Sequence, residues 1–250
     1  MLVQACLNGS RHSGDHSAVP VDPGAIARDA ARVMRAGAGG VHVHPRGREG
    51  AETLDAEAVA QTLTALRAAC PGLPIGVSTA AWIEPDLDRR IDAINSWRVL
   101  PDYASVNLSE EGALQVIDLL GERGVGVEAG VWDERDARFL IDNGLDAACS
   151  RVLVEVEAAV DAAEAVRAAA AIDVLLDGGL VEAPRLHHGG GLATWAVIST
   201  AIERGHDVRI GLEDTLVRSD GLVVVDNEEL VRAAVDMARA GGRMIDTVRA

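Results

Sequence analysis

Eight times along these 250 residues a short run rich in Val, Ile and Leu precedes a longer Ala-, Arg- and Glu-rich stretch of helical period. That repetition constrains the fold more than anything else in the chain, because alternating strand and helix signals imply βαβ units and a parallel sheet. Strands are expected at 2–7, 40–44, 74–79, 103–108, 125–131, 149–155, 184–188 and 207–212, and helices at 23–37, 55–69, 85–96, 110–123, 133–143, 157–177, 191–204 and 227–240. Eight pairs are what a closed (β/α)8 barrel requires, here as one domain over residues 1–250. The stretch 170–185 reads as the tail of the sixth helix, since a strand there would be a ninth. Local signals agree: Asp22 before Pro23 suits a helix start, Asn227 with Glu228 and Glu229 suits the last one, and Gly72, Gly124, Gly144 and Gly205 follow helical stretches.

Composition supports the barrel and narrows the chemistry. Hydrophobic residues are 48% of the chain but aromatic ones only 2%, so the core must be aliphatic, as in buried parallel strands. A net charge of −16 argues against nucleic acid as a partner, because that affinity rests on neutralising phosphates. Every basic residue is arginine; without lysine, no Schiff base or lysine general base is possible. Carbon–carbon bond chemistry would therefore need a metal or another electron sink. Cys6, Cys70 and Cys149 are scattered and suit reduced, buried thiols, and no stretch has the length of a membrane span or the pattern of a signal peptide. A cytoplasmic location is expected.

In such a barrel the active site lies at the C-terminal ends of the strands. His42 and His44, two apart on the second strand, turn both imidazoles to one side and form half of a zinc site. Glu213, at the end of the eighth strand, is the expected third ligand, or else a salt-bridge partner for Arg209 or Arg46. Arg209 shares a face with Glu213 and can clamp a substrate carboxylate. Asp214 is placed to act as general base, or to cap a loop or helix. Ser78 and Thr79 can donate to a substrate oxygen or cap the third helix, and Glu128 can orient an arginine or take part in proton transfer. His187, His188 and the run Gly189-Gly190-Gly191 precede a helix, where backbone amides can meet a phosphate. His12 and His16 lie in a long first loop suited to a lid, and His206 reads as a surface residue.

These segments resemble the β-keto acid cleavage enzymes, also called 3-keto-5-aminohexanoate cleavage proteins. The resemblance rests on GVHVHPR at 40–46, GVST at 76–79, SVNLS at 105–109, RLHHG with Trp195, and RIGLEDTL at 209–216 followed by DG and DNEELV. It spans essentially the whole chain. It implies a zinc-dependent barrel that converts a β-keto acid and acetyl-CoA into acetoacetate and an acyl-CoA, acting as a homo-oligomer, dimer or tetramer. The resemblance puts zinc on His42, His44 and Glu213, catalysis on Arg209 and Asp214 with Ser78 and Glu128 in support, and Asn107 near the substrate; Asn8, Arg11 and His188, at or after strand ends, are further expected substrate contacts. It further implies that Asp214 forms an enolate, which zinc and Arg209 stabilise before attack on the thioester, CoA migration and a retro-Claisen step. One departure stands out. Where the family often carries an acidic residue for a substrate amine, this chain has Asn8-Gly9-Ser10-Arg11, and Arg11 favours a neutral or carboxylated β-keto acid. An amidohydrolase-type hydrolase also uses a His-x-His strand, but it wants single histidines on strands five and six, and none occurs between His44 and His187. A barrel that only binds a metal or ligand is the remaining alternative.

Overall fold

Eight short parallel strands close into a ring in chain order, each followed by a helix on the outside, in a computed structural model that describes residues 1–156 and 161–247. The strands are β1 (Val3–Cys6), β2 (Gly40–Val43), β3 (Ile75–Ser78), β4 (Tyr103–Asn107), β5 (Gly126–Val131), β6 (Arg151–Val156), β7 (Arg185–Gly189) and β8 (Asp207–Ile210). The helices are α1 (Pro23–Ala36), α2 (Ala56–Ala69), α3 (Leu87–Ser96), α4 (Ala113–Glu122), α5 (Glu134–Asp142), α6 (Ala162–Gly178), α7 (Thr194–Arg204) and α8 (Asn227–Ala240). This is the expected (β/α)8 barrel. The segment from 170 is the end of α6 and not a ninth strand; residues 157–160, where that helix was expected to begin, lie outside the described residues. No helix among the described residues is long and apolar enough to cross a membrane, and all three cysteines are buried and unpaired.

Strand parity divides the residues into two populations. Val3, Ala5 and Leu7, Val41 and Val43, Ile75 and Val77, Val152 and Val154, and Val208 and Ile210 pack outward against the helices in one continuous aliphatic core. The opposite parity faces the barrel axis, and there the lower lumen is polar. Tyr103 lies in the space left by Gly76, whose missing Cβ would otherwise strike the ring. The phenol donates to the Val41 carbonyl at 2.6 Å, Gln4 donates to Tyr103 Oη at 3.0 Å and to Glu128 at 2.7 Å, and Arg151 pairs with Glu128 at 3.1 Å.

Among the described residues, six helices begin on an aspartate whose carboxylate accepts from the first-turn amides: Asp22, Asp55, Asp86, Asp133, Asp161 and Asp226. The last helix starts at Asn227, as expected. Asp226 is the cap, which frees the Asn227 side chain to bind three elements beneath the barrel mouth. It accepts from Leu212 N at 2.7 Å and donates to the Leu7 carbonyl at 2.8 Å and to Asp29 at 2.7 Å. His206 is not a free surface residue. It stacks on His187 with centroids 4.8 Å apart, beside Asp173, which Arg185 and Arg204 also bind. These three side chains are close enough to share a cation. Two guanidiniums already neutralise their only carboxylate, however, so the cluster is an ion network joining α6, α7, β7 and the start of β8.

Asn227→Ala leaves a buried amide, a buried carbonyl and one oxygen of Asp29 without their partner, while Arg32 still pairs with the other Asp29 oxygen. Because each unsatisfied buried group costs ~1–3 kcal/mol, the variant is expected to lose about 3 kcal/mol or more. Urea denaturation should show this as a lower midpoint with an unchanged slope.

Candidate active site

A cavity of about 800 Å3 opens at the C-terminal ends of the strands, lined among others by Arg11, His42, His44, Ser78, Asn107, Arg209, Glu213 and Asp214. The strand-end argument therefore gathers most of its residues in one place. His42 and His44, two apart along the second strand, bring their Nε2 atoms to 3.1 Å from each other, and Glu213 Oε1 lies 3.5 Å from His44 Nε2. The ligand atoms of all three lie within 4.8 Å of one another. Glu213 also binds Arg209 Nη2 through Oε1, while Oε2 is buried and has no partner. The salt bridge to Arg209 thus leaves one carboxylate oxygen of Glu213 without a partner. Two imidazoles and one carboxylate are the donor set of a catalytic zinc site, so the residues fit such an ion.

Glycine makes this convergence possible. After β8 the chain turns back over β1 at Gly211, where a Cβ would collide with the Cys6 backbone. Glu213 then lies across Gly9, which has a φ of +52° and whose Cβ would overlap the glutamate side chain. Asn8 holds the other side of the joint. Its Oδ1 accepts from His44 N at 2.9 Å, and its Nδ2 donates to the His44 and Pro20 carbonyls at 3.0 and 3.2 Å. The expectation that Asn8 contacts substrate is corrected: both ends of its amide bind backbone, and it does not line the cavity. Arg46 donates to the Gly9 and Arg11 carbonyls, so the first loop is fastened to the strand that carries the two histidines.

Asp214 sits between two cationic groups. Arg209 Nη2 and His188 Nδ1 each lie 3.2 Å from its Oδ1, and its Oδ2 is buried and unpartnered. Among the described contacts its carboxylate binds side chains and caps no backbone. His188 also lies 3.0 Å from Glu155 through Nε2. Burial and Arg209 oppose its protonation, but Asp214 and Glu155 outweigh them and push its pKa up to about 9. His188 is therefore a fully buried linker between two cavity carboxylates and not a substrate contact. Its neighbour His187 has the opposite parity and turns out towards α6.

Glu128 is also corrected in place. It is fully buried one layer below the cavity, where burial raises its pKa while Arg151 and Gln4 lower it. Of its two readings, orienting an arginine is the one the geometry matches. Ser78 does line the cavity, whereas Thr79 donates to the Ser105 carbonyl at 2.7 Å; α3 is capped by Asp86 and by neither of them. Asn107 is held by Trp132 Nε1 on its oxygen and Glu110 on its nitrogen. In the glycine run, Gly190 N donates to the Val156 carbonyl and Gly191 N to the Asp214 carbonyl, so these two amides are spent on backbone. His16 ties the first loop to Val224 at 2.9 Å.

Two residues were missed. Glu155 is the penultimate residue of β6 and has the inward parity, so the strand-end argument applied to it as well as to the others. Glu52 lies in the loop after β2 and binds His44 Nδ1, and no periodicity in that loop announces it.

The chain matches known proteins along its whole length. A sequence profile of the beta-keto acid cleavage enzyme family matches residues 1–250. The 3-keto-5-aminohexanoate cleavage enzyme of Fusobacterium nucleatum subsp. nucleatum is 27% identical over 265 residues, covering 99% of this chain and 94% of its own. The apo structure of ObcA superimposes with a TM-score of 0.75 at 16% identity, over 92% of this chain and 63% of that one. ObcA is also known in a ternary complex with a C4-CoA adduct and oxalate, with a TM-score of 0.72 and 16% identity over 90% and 64% of the two chains. A type I 3-dehydroquinate dehydratase from Clostridium difficile gives 0.66 at 12% identity, over 96% and 92%. These structural likenesses concern the fold, and the chain spans under two thirds of ObcA.

Two measurements probe the donor set. Burial lowers the His44 pKa, but Glu213 and Glu52 bring it to about 8, so the metal-free imidazole holds a proton at neutral pH that a cation must displace. Zinc affinity should therefore rise about tenfold per pH unit up to about 8 and level off above it, as read by competition with a chelator. Gly9→Ala should displace the Glu213 side chain and weaken zinc binding by at least about tenfold, since a carboxylate ligand is lost from the set. Isothermal titration gives that comparison directly.

Proposed function

The chain belongs to the beta-keto acid cleavage enzyme family, and we propose that it joins a β-keto acid to acetyl-CoA and cleaves the adduct by a retro-Claisen step, releasing acetoacetate and the CoA ester of the remaining acyl group. The observation that carries this reading is Asp214, a cavity carboxylate with one oxygen held by Arg209 and His188 and the other unpartnered. His42, His44 and Glu213 would hold zinc. When bound, zinc supplies Lewis acidity towards the oxygens of the keto acid.

The remaining chemistry is assigned to the chain's own residues. Asp214 takes a proton from the carbon between the ketone and the carboxylate. Arg209, buried beside it, offers a fixed positive charge where the enolate develops. The enolate carbon attacks the acetyl carbonyl and CoA leaves as thiolate. That thiolate adds to the original ketone, the carbon–carbon bond breaks, and the acetoacetate enolate recovers its proton from Asp214. Protons and electrons balance with no lysine imine, as a chain without lysine requires. Ser78 and Asn107 line the same cavity, where Ser78 can donate to a substrate oxygen.

Arg11 bears on substrate choice. It lines the cavity and donates through Nε to the Glu213 carbonyl at 3.3 Å, which holds a positive charge at the wall near the metal ligands. A cationic substrate side chain would be repelled there, and a neutral or carboxylated one accepted. The CoA thioester as second substrate is consistent with the CoA adduct captured in ObcA.

The test is acetoacetate formation by zinc-loaded protein given acetyl-CoA and a panel of cationic, neutral and anionic β-keto acids. Turnover should favour the non-cationic acids. It should fall about 10²- to 10⁴-fold in Asp214→Asn, the range expected for a lost general base, and vanish in His44→Ala. A folded, zinc-loaded protein that forms no acetoacetate from any acid on the panel overturns the reading in favour of a hydrolase or a binding barrel.

A further inference from the structure

We propose that Glu52 is a positioning residue for the metal centre: it fixes His44 in the tautomer and ring orientation that present Nε2 to the ion. The inference rests on the reading of His42, His44 and Glu213 as the ligand set and concerns a residue outside that set.

The geometry begins with the loop after β2. Pro45 and Arg46 leave the barrel mouth, and the chain returns at once through a small hairpin closed by an antiparallel bridge between Arg46 and Glu52. Gly47 N donates to the Ala51 carbonyl at 2.8 Å, Gly50 N to the Gly47 carbonyl at 3.0 Å, and Thr53 N to the Pro45 carbonyl at 3.1 Å. Every one of these bonds is local, so the hairpin sets where residue 52 falls relative to residue 44. Glu52 Oε1 consequently meets His44 Nδ1. A carboxylate only accepts, so Nδ1 carries a proton and Nε2 is left for the ion. Trp82, 52% exposed at the cavity mouth, donates through Nε1 to the same Oε1 at 3.4 Å and holds the carboxylate from the other side.

His42 has no such support. Its Nδ1 is buried without a hydrogen-bond partner, and burial lowers its pKa well below the usual value. Orientation by an anion is therefore concentrated on one of the two histidines. A carboxylate behind a metal-bound imidazole raises ligand basicity and removes the rotational freedom the ring would otherwise lose on binding. Glu52 performs both tasks for His44, and it comes from the same short segment, GVHVHPRGREGAE, that supplies the two histidines.

The experiment is zinc affinity, by competition with a chromophoric chelator at fixed pH, for the full chain and for Glu52→Ala, Glu52→Gln and His44→Ala. Loss of such a support typically weakens binding by about 10- to 100-fold, and that is the expected result for Glu52→Ala. The amide oxygen of Glu52→Gln still accepts from Nδ1 but lacks the charge, so its affinity should fall between the two. Cobalt(II) loading supplies a second readout: the visible spectrum of Glu52→Ala should shift from that of the unaltered chain as the His44 ring loses its fixed orientation. If both Glu52 variants bind zinc within twofold of the unaltered chain and their cobalt spectra superimpose, the proposal fails and Glu52 only closes the hairpin. Such a closing role would lower the melting temperature of the metal-free protein without moving affinity. Should Glu52→Ala fail to fold, Glu52→Gln decides alone. Failure of the ligand reading looks different: the unaltered chain binds no zinc, or His44→Ala binds it equally well.

Discussion

Everything in this protein depends on the parity of eight parallel strands in a closed ring. A closed ring has no edge along which a strand can slide, and a slip of one residue would send every side chain of that strand to the opposite face. One parity is filled with Val, Ala, Leu and Ile and pressed against the helices. The other carries Gln4, His42, Ser78, Tyr103, Asn107, Glu128, Glu155, His188 and Arg209 towards the axis. Burial of the aliphatic layer favours folding, and the register it imposes sets where the polar layer falls.

Those ionisable groups are arranged so that each buried carboxylate has a cationic neighbour. Arg151 faces Glu128 below the mouth, Arg209 lies between Glu213 and Asp214, and the His188 imidazolium links Asp214 to Glu155. A buried ion without a partner would cost several kcal/mol, so these pairs are a condition for keeping charge in the lumen at all. Arginine suits the task because its planar fork can meet two acceptors together and it stays ionised in low dielectric. The absence of lysine therefore agrees with the electrostatics as well as with the chemistry.

Much of this was legible in the sequence, and the failures have physical causes. The strand and helix repeat announced the barrel, and the two-residue spacing of His42 and His44 announced a shared face. Glu213 could be chosen because β8 closes against β1, one strand away from β2. Parity also explains the corrections. His187 and His188 are adjacent and must face opposite ways, yet a strand-end argument treated them alike. Glu128 has the correct parity but the wrong depth, and depth depends on barrel stagger, which a single strand does not reveal. Asn8 and Asn227 read as polar residues available for substrate or for a cap, and both serve backbone groups where strands end. The contact of Glu52 with His44 depends on a hairpin whose residues carry no hydrophobic period, so only its three-dimensional path reveals it.

The placement of His42, His44 and Glu213 at the ends of β2 and β8, on either side of β1, has a consequence for how such a protein can change. His42, His44, Glu213 and Asp214 occupy one arc of the mouth, made by β8, β1 and β2 and fastened by Asn8, Arg46 and the close approach at Gly211. The opposite arc, from β3 to β5, presents Ser78, Ser105, Asn107 and Trp132 to the same space. Mutation can remodel that second arc one side chain at a time while the first stays fixed. The barrel thus separates the part that must be inherited intact from the part on which new specificities can be tried.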